Sequence, residues 1–348
     1  MDLLTEELAL DMPLNLGASL SGIATLESLC GGPETVDLGY ALAGAKSAIV
    51  FGVPFDDSLI EPYLGKRDYS LSANKIRTTT FAAGIAFEIS TVLTSLGYKT
   101  CPVAPNFAFR KDTPNGIFDR VPPASLKLIA ASCGIGHIGQ SGLLITKEFG
   151  AAFSLGAVIT DAVLKPTEPL PEEENYCNRC MACKLACVAD FINPEPVSID
   201  MGGRSVRVGN CRLAARCAYP CGGITGLHPS GRWSTWSGGR FPMPEDDDEY
   251  RTISRKYVGR YLERKRSGAI CYNPLLAGTY EMQYTCSNCQ FVCHPDPEVR
   301  RSRLKTLRNS GVVVEDADGN KRGVPPKEAE AFLAGLPEER RRLYTDDS

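Results

Sequence analysis

The chain has 348 residues, 43% of them hydrophobic and 23% charged, with a formal net charge of −3 at pH 7. That length holds a sizeable core and two domains, and the near-balanced charge gives no electrostatic footprint for nucleic acid or a membrane surface. No apolar run approaches the roughly 20 residues that cross a bilayer, and the acidic start MDLLTEELALDM lacks the basic flank of a signal peptide, so no membrane partner and a cytoplasmic location are expected. From about Ala41 to Asp161, short β-rich runs alternate with helical patterns, which predicts an α/β domain. Ser47–Val53 (SAIVFGV) reads as a buried strand stopped by Pro54. Phe81, Ile85, Ile89, Val92 and Leu96 then recur at helical spacing before Gly97. A strand over Tyr98–Val103, a helix starting near Pro123 and a strand over Ser154–Thr160 follow, and the proline- and glutamate-rich Lys165–Asn175 reads as a linker.

Beyond the linker, cysteines dominate. Of the 14 in the chain, Cys177, Cys180, Cys183 and Cys187 form CNRCMACKLAC, and Cys286, Cys289 and Cys293 form CSNCQFVC. The C-x2-C-x2-C-x3-C spacing of the first run is that of bacterial two-cluster ferredoxins, in which three thiolates of a tight loop hold one 4Fe-4S cluster and the fourth reaches the other. By the same logic Cys286 and Cys289 serve the second cluster and Cys293 returns to the first. Two cubanes take four thiolates each, one more than the runs supply. Cys271, Cys211, Cys217 and Cys221 compete for that place. Cys271 is favoured, because the loop from it to the second run can fold back without crossing another element. The C-x5-C-x3-C pattern of Cys211, Cys217 and Cys221 keeps a second source of the ligand, or part of a further metal site, open. Zinc on the CxxC pairs and a disulfide framework are the competing chemistries, and the four-cysteine spacing is more specific than either requires. Val188 and His294 stand where ferredoxins usually place proline.

Between the runs, residues 188–285 exceed ordinary loop length. They carry HPSGRWSTWSGGRF, with Trp233 and Trp236, and the acidic PEDDDE. This insertion is expected to be a lid or a substrate-facing subdomain, and its acidic run a solvated loop. After Cys293, the basic EVRRSRLKTLRNS reads as a solvated helix face, with docking of an anionic partner as the alternative. A last helix is expected over Pro326–Ala334, between Pro325 and Gly335.

Upstream of the linker, Cys133–Gly142 reads CGIGHIGQSG, and Gly134, Gly136 and Gly139 satisfy G-x-G-x-x-G, with Asp161 at the end of the following strand. In a dinucleotide site such glycines bring backbone amides to a pyrophosphate and the acid to a ribose hydroxyl. That reading requires a strand before the loop and a helix after it, whereas the preceding PASLKLIAAS fits the end of a helix at least as well.

The segment CGIGHIGQSGLLITKEFGAAFSLGAVITD resembles the AGLGWIGKxxLLI…G…LG…T segment of epoxyqueuosine reductases and of the corrinoid iron-sulfur reductive dehalogenases, and the two cysteine runs follow it in the same order. The resemblance covers roughly Ala45–Pro297. It implies an α/β (α+β) corrinoid-binding-like domain over residues 1–165. A double-cluster ferredoxin-like domain over 166–310, with an insertion over 195–270, and a helical tail over 311–348 would follow. It turns the glycine segment from a nucleotide cradle into a cobalamin cradle, with Gly134, Gly136, His137, Gly139, Ser141 and Asp161 as cofactor-binding candidates. His137 replaces a usual tryptophan and Gln140 a usual basic residue; His137 is a candidate cobalt ligand as well as a candidate hydrogen-bonded loop histidine. GKRDYS at Gly65–Ser70 is similar to the family's GRDYH, with Ser70 in place of histidine. Asp119 lies one position from the acid that epoxyqueuosine reductases use as proton donor, so Tyr69 and Asp119 are the candidate proton donors. A lone cysteine ahead of CxxCxxxC is a dehalogenase pattern, which supports Cys271.

The implied function is a reductase that takes electrons from an external donor such as a ferredoxin or flavodoxin. It passes them through two 4Fe-4S clusters to cobalamin, and so reduces a small-molecule substrate. The helical repeats with which epoxyqueuosine reductases grip tRNA and the twin-arginine signal of the dehalogenases are not matched, so neither a tRNA substrate nor an exported role is expected. The alternatives are an iron-sulfur electron-transfer protein without cobalt and a nucleotide-dependent reductase fused to a ferredoxin module.

Overall fold

The computed structural model describes residues 4–105, 108–272 and 281–346. In chain order it contains α1 (Glu6–Asn15), β1 (Leu20–Thr25), α2 (Leu38–Ala41), β2 (Ser47–Pro54), α3 (Ile60–Leu64), α4 (Ser70–Ser95), β3 (Thr100–Val103), α5 (Leu126–Ser132), β4 (His137–Ile138), β5 (Leu144–Ile145) and β6 (Phe153–Thr160). Then come α6 (Ala182–Leu185), β7 (Val197–Met201), β8 (Arg204–Val208), α7 (Ala214–Cys221), α8 (Asp247–Glu263), β9 (Cys271–Tyr272) and β10 (Glu281–Met282). The last elements are α9 (Asn288–Phe291), α10 (Pro297–Arg308), β11 (Val312–Glu315), β12 (Lys321–Val324), α11 (Pro326–Ala334) and α12 (Glu338–Arg341). The chain divides into two units, Met1–Phe55 with Arg77–Cys180 and Glu195–Asn210, and Asp56–Ile76 with Met181–Pro194 and Cys211–Ser348.

The first unit is built on a sheet of order β1-β2-β6-β3 in which every pair is antiparallel. The mixed helix and strand content is as expected, and the pairing makes it α+β in kind. β2 reads as an unbroken apolar run because both of its faces are covered. Ala48 and Val50 join Ala157 and Ile159 of β6 in a core shared with Ile129 and Ala130 of α5. Ile49, Phe51 and Val53 point the other way, to Ala82, Ile85, Ala86, Ile89 and Leu93 of α4. Burying one such isoleucine contributes about 1.5–3 kcal/mol. α4 starts earlier than its apolar spacing indicates, at Ser70, and Gly97 at φ +94° follows its end. The helix expected near Pro123 starts at Leu126, since a residue before proline is held out of the α region.

The second unit has smaller cores. Tyr219 of α7 packs with Phe241 and with Tyr250, Tyr257 and Tyr261 of α8; Val312, Val314 and Val324 of the β11–β12 hairpin pack with Ala329 of α11. The acidic PEDDDE is not a solvated loop. Asp246 caps α8, accepting from Glu249 N at 2.8 Å, and Asp247, Asp248 and Glu249 fill the first turn, where carboxylates oppose the helix dipole. The basic stretch is α10, but a solvated face describes only part of it. Arg300 and Arg303 are buried, and Arg303 donates to Phe291 O at 3.4 Å and to Asp57 Oδ1 at 2.6 Å. Both tryptophans are interior, and Trp236 Nε1 donates to Tyr63 O at 3.0 Å. No described helix is long and apolar enough to cross a membrane.

Candidate metal and cofactor site

In the first unit the glycine segment leaves α5 and enters a hairpin. Gly134 takes φ +77° just past the helix, and Ile135 N donates back to Ala130 O at 3.2 Å, as a left-handed cap does. β4 and β5 then pair His137 with Ile145 and Ile138 with Leu144. A helix before the motif and a hairpin within it are not the strand-turn-helix of a dinucleotide site, which overturns the nucleotide reading. A Cβ at Gly134 would stand 2.4 Å from Glu168 O, and one at Gly136 2.3 Å from Ile145 O. These two glycines therefore permit backbone to pack on backbone. Gly139 has a different neighbour: its Cβ would lie 3.8 Å from Cys177 Sγ, and Gln140 N donates to the same sulfur at 3.3 Å. The glycine turn seats the first cysteine.

The other candidates of this unit are engaged locally. His137 Nε2 donates to Pro171 O at 2.9 Å. Ser141 is buried, and its Oγ accepts from Leu143 N at 3.4 Å. Asp161 Oδ1 accepts from Lys99 N at 2.8 Å, and Asp161 N donates to Lys99 O at 3.2 Å, closing the end of the β3–β6 ladder. Asp119 accepts from Asn115 N and Nδ2 at 2.9 and 2.8 Å within a single turn.

Cys180 is flanked by Arg179 at φ +58° and Met181 at φ +60°, two left-handed residues that wind the chain tightly between successive cysteines. Cys177 and Cys180 fall in the first unit and Cys183 and Cys187 in the second. In the second unit α6 carries Cys183, and Phe191 N donates to Cys187 Sγ at 3.4 Å. α7 carries Cys217 and Cys221 one turn apart, hence on one face. Its end is pinned to the second run: Thr285 N donates to Cys221 O at 3.0 Å and Thr285 Oγ1 to Pro220 O at 2.6 Å, while Cys221 Sγ lies 3.5 Å from Cys286 O. Burial, then the neighbouring Cys221, Cys286 and Cys187 thiols, push the Cys217 thiol well above its ordinary value. Burial dominates at Cys289 too, followed by Cys217, Cys187, Cys286 and Cys183. Cys217 nevertheless keeps accessible surface. Cys271 Sγ contacts Met282 O at 3.5 Å, and burial pushes its thiol up to about 11, with Cys221 its one cysteine neighbour among the causes. The loop expected to carry Cys271 back to the second run includes residues 273–280, which lie outside the described residues.

Between Cys286 and Cys289, Asn288 is fully buried, and neither Oδ1 nor Nδ2 has a hydrogen-bond partner among the described residues. Each buried orphan costs about 1–3 kcal/mol, so an unpaired amide between Cys286 and Cys289 fits a group with which it would bond. Lys75 Nζ reaches Ser287 Oγ and lies 5.1 Å from the Tyr284 ring centroid. Lys66 is 7% exposed, and burial pulls its ammonium down to about 7, opposed by Cys286. Among the described residues no three His, Cys, Asp or Glu side chains are close enough to hold a single ion; thiolates around a four-iron body stand further apart. Tyr69 lies in an aromatic nest, 6.1 Å from Tyr63 and 4.9 Å from Trp236 between ring centroids. Its hydroxyl donates to Tyr284 O at 2.7 Å, and burial pushes its pKa far up. Asn288, Lys66 and Lys75 were absent from the sequence reading, since nothing in spacing marks a lone amide or lysine.

No protein-family model matches the chain. It is 32% identical over 157 residues to the tetrachloroethene reductive dehalogenase of Desulfitobacterium hafniense, 45% of this chain and 25% of that one. It is 37% identical over 76 residues to the epoxyqueuosine reductase of Gloeobacter violaceus, 22% and 23% of the two lengths. The chain thus covers about a quarter of the length of these relatives, which are oxidoreductases. A catabolic reductive dehalogenase solved in complex with 3-bromo-4-hydroxybenzoic acid aligns at TM-score 0.50 with 14% identity, over 96% of this chain and 36% of that one, a likeness of fold. An epoxyqueuosine reductase solved with a modified tRNA stem loop aligns at TM-score 0.41 with 18% identity, over 85% of this chain and 68% of that one. The relatives come from the two families that the glycine and cysteine motifs resemble.

Proposed function

We propose that this protein is a reductase that passes electrons from an external donor through two 4Fe-4S clusters to a corrinoid acting on a small substrate. The observation that carries the iron-sulfur part is that Cys183, Cys187, Cys217, Cys221, Cys286 and Cys289 fall in one unit as mutual electrostatic neighbours, with the orphaned Asn288 amide between Cys286 and Cys289 in the chain. When bound, the clusters supply one-electron transfer, at potentials that hydrogen bonds to sulfur and nearby charge help to set. The chain contributes such bonds from Gln140 N to Cys177 and from Phe191 N to Cys187, and the ammonium of Lys75 beside the second run. Cys217 has a stronger claim than Cys271 to the eighth place, because its neighbours Cys187, Cys286 and Cys289 are the other three thiolates that spacing gives to the second cluster.

The corrinoid rests on the resemblance of the glycine segment and on the relatives; the glycines themselves are explained by packing within their unit, so no step is derived through the cobalt. Tyr69 is the better proton-donor candidate: burial keeps its proton on Oη, which Tyr284 O positions. Asp119 has both carboxylate oxygens bonded to Asn115. An electron-transfer role without cobalt is the second reading, favoured by the hairpin geometry of the glycine segment. A tRNA, which the sequence reading set aside, is what one of the epoxyqueuosine reductases holds.

The test is to purify the protein without oxygen, rebuild its clusters, incubate it with hydroxocobalamin, desalt it and determine both metals. Near-stoichiometric cobalt with about eight irons per chain is expected. Iron without cobalt removes the corrinoid and leaves electron transfer; neither metal removes the reading altogether.

A further inference from the structure

α10 has two unlike faces. Arg300, Arg303 and Leu307 are buried, whereas Arg301, Lys305 and Arg308 are exposed and, at i, i+4 and i+7, form one row along the helix. Arg232, from the long segment between the cysteine runs, joins them. Arg232, Arg301, Leu304, Lys305, Arg308 and Asn309 together line a shallow depression of about 280 Å³. Four of the six are cations and none is an acid. Glu298 pairs with Arg301; among the described residues Arg232, Lys305 and Arg308 have no ion-pair partner. Burial, then Arg308 and Arg232, hold down the pKa of His228, which stacks on Trp233 at 4.4 Å, and the two guanidiniums line the same depression.

The helix that carries this row also packs against elements that bear the proposed metal ligands. It begins at Pro297, shortly after Cys293, and packs on α6, which bears Cys183. Arg303 on its inner side bonds Phe291 O, between Cys289 and Cys293. The cationic face is therefore about one helix diameter, roughly 10 Å, from a ligand-bearing element. A row of cations seven residues long spans about 10 Å, too long for one phosphate and suited to a line of surface carboxylates. The depression has no aromatic lining residue, which single-stranded nucleic acid uses as a stacking platform.

We propose that this depression is the docking surface for an acidic electron-carrier protein that reduces the iron-sulfur clusters, an inference that rests on the iron-sulfur reading above. In each encounter the reduced carrier loses one electron and a cluster gains it, with no bond made or broken. Complementary charge steers such encounters and makes their rate fall with salt.

Cluster bleaching is followed by stopped flow in the full-length, cluster-loaded protein, using reduced flavodoxin of strongly negative net charge as donor and, separately, photoreduced deazaflavin. The variant Arg301→Glu with Lys305→Glu and Arg308→Glu is expected to lower the second-order rate with flavodoxin by roughly tenfold or more and to flatten its salt dependence, with the deazaflavin rate unchanged. Arg232→Glu alone, from a different segment, is expected to slow flavodoxin several-fold. Unchanged flavodoxin rates in both variants overturn the proposal, as does equal slowing with deazaflavin, which would mean that these residues hold the clusters. A wild-type protein that neither donor bleaches overturns the iron-sulfur reading and this surface with it.

Discussion

Cys217 and Cys221 sit at i and i+4 of α7, and that helix end is tied to Thr285 beside Cys286. Sequence spacing offered Cys217 as one of several eighth ligands, but a loop argument favoured Cys271, because spacing carries no distance across the intervening segment. Cys217→Ser is expected to lose about half the iron, while Cys271→Ser keeps it; iron analysis with electron paramagnetic resonance decides, and full iron in the Cys217 variant returns the place to Cys271. Cys133 is a cysteine of another kind. It is 1% exposed, and burial pushes its thiol from the ordinary 9.0 up to about 12. In the folded chain it holds its proton where the unfolded chain has lost it, so its contribution to stability is complete below about pH 9 and declines as pH rises toward 12. It should resist iodoacetamide at pH 8, while the exposed Cys30 reacts; mass spectrometry of the cluster-loaded protein checks this, and equal labelling of the two contradicts the burial.

At the scale of elements, β2, β6 and α11 were legible because each carries one strong local signal. β2 and β6 are apolar runs of strand length, and α11 is bounded by Pro325 and Gly335. α8 was not read, because the side chains it buries are tyrosines, Tyr250, Tyr257 and Tyr261, which a count of aliphatic periodicity passes over. Its start was nonetheless written in PEDDDE, whose Asp246 accepts from Glu249 N. Asp246→Ala should destabilise the second unit by about 1 kcal/mol and Asp246→Asn by much less, as measured by chemical denaturation; equal effects would show that charge matters there more than the cap bond. In α10, arginine hid burial: Arg300 and Arg303 look like surface residues in the sequence, yet Arg303 satisfies a carbonyl and the Asp57 carboxylate inside the unit.

Across the whole molecule the units differ in what holds them. The first has a four-stranded sheet with an apolar core on each face, whereas the second has small cores and gathered cysteines. If the proposed clusters are bound, their binding is expected to contribute more to the folding of the second unit. Removing iron with a chelator should leave amide exchange of β1, β2 and β6 slow and raise it in α7 and α9; uniform acceleration in both units would contradict this. The sequence by itself determined the thiolate spacing on which the iron-sulfur proposal rests, since spacing within a tight loop is local geometry, and it determined β2, β6 and α11, whose signals are also local. Only the tertiary structure decided that the sheet is antiparallel, that the glycine motif is a helix cap and hairpin seating Cys177, and that Cys217 and Lys75 stand at the second run. Each of these depends on contacts between residues far apart in the chain, and neither periodicity nor spacing encodes a distance of that kind.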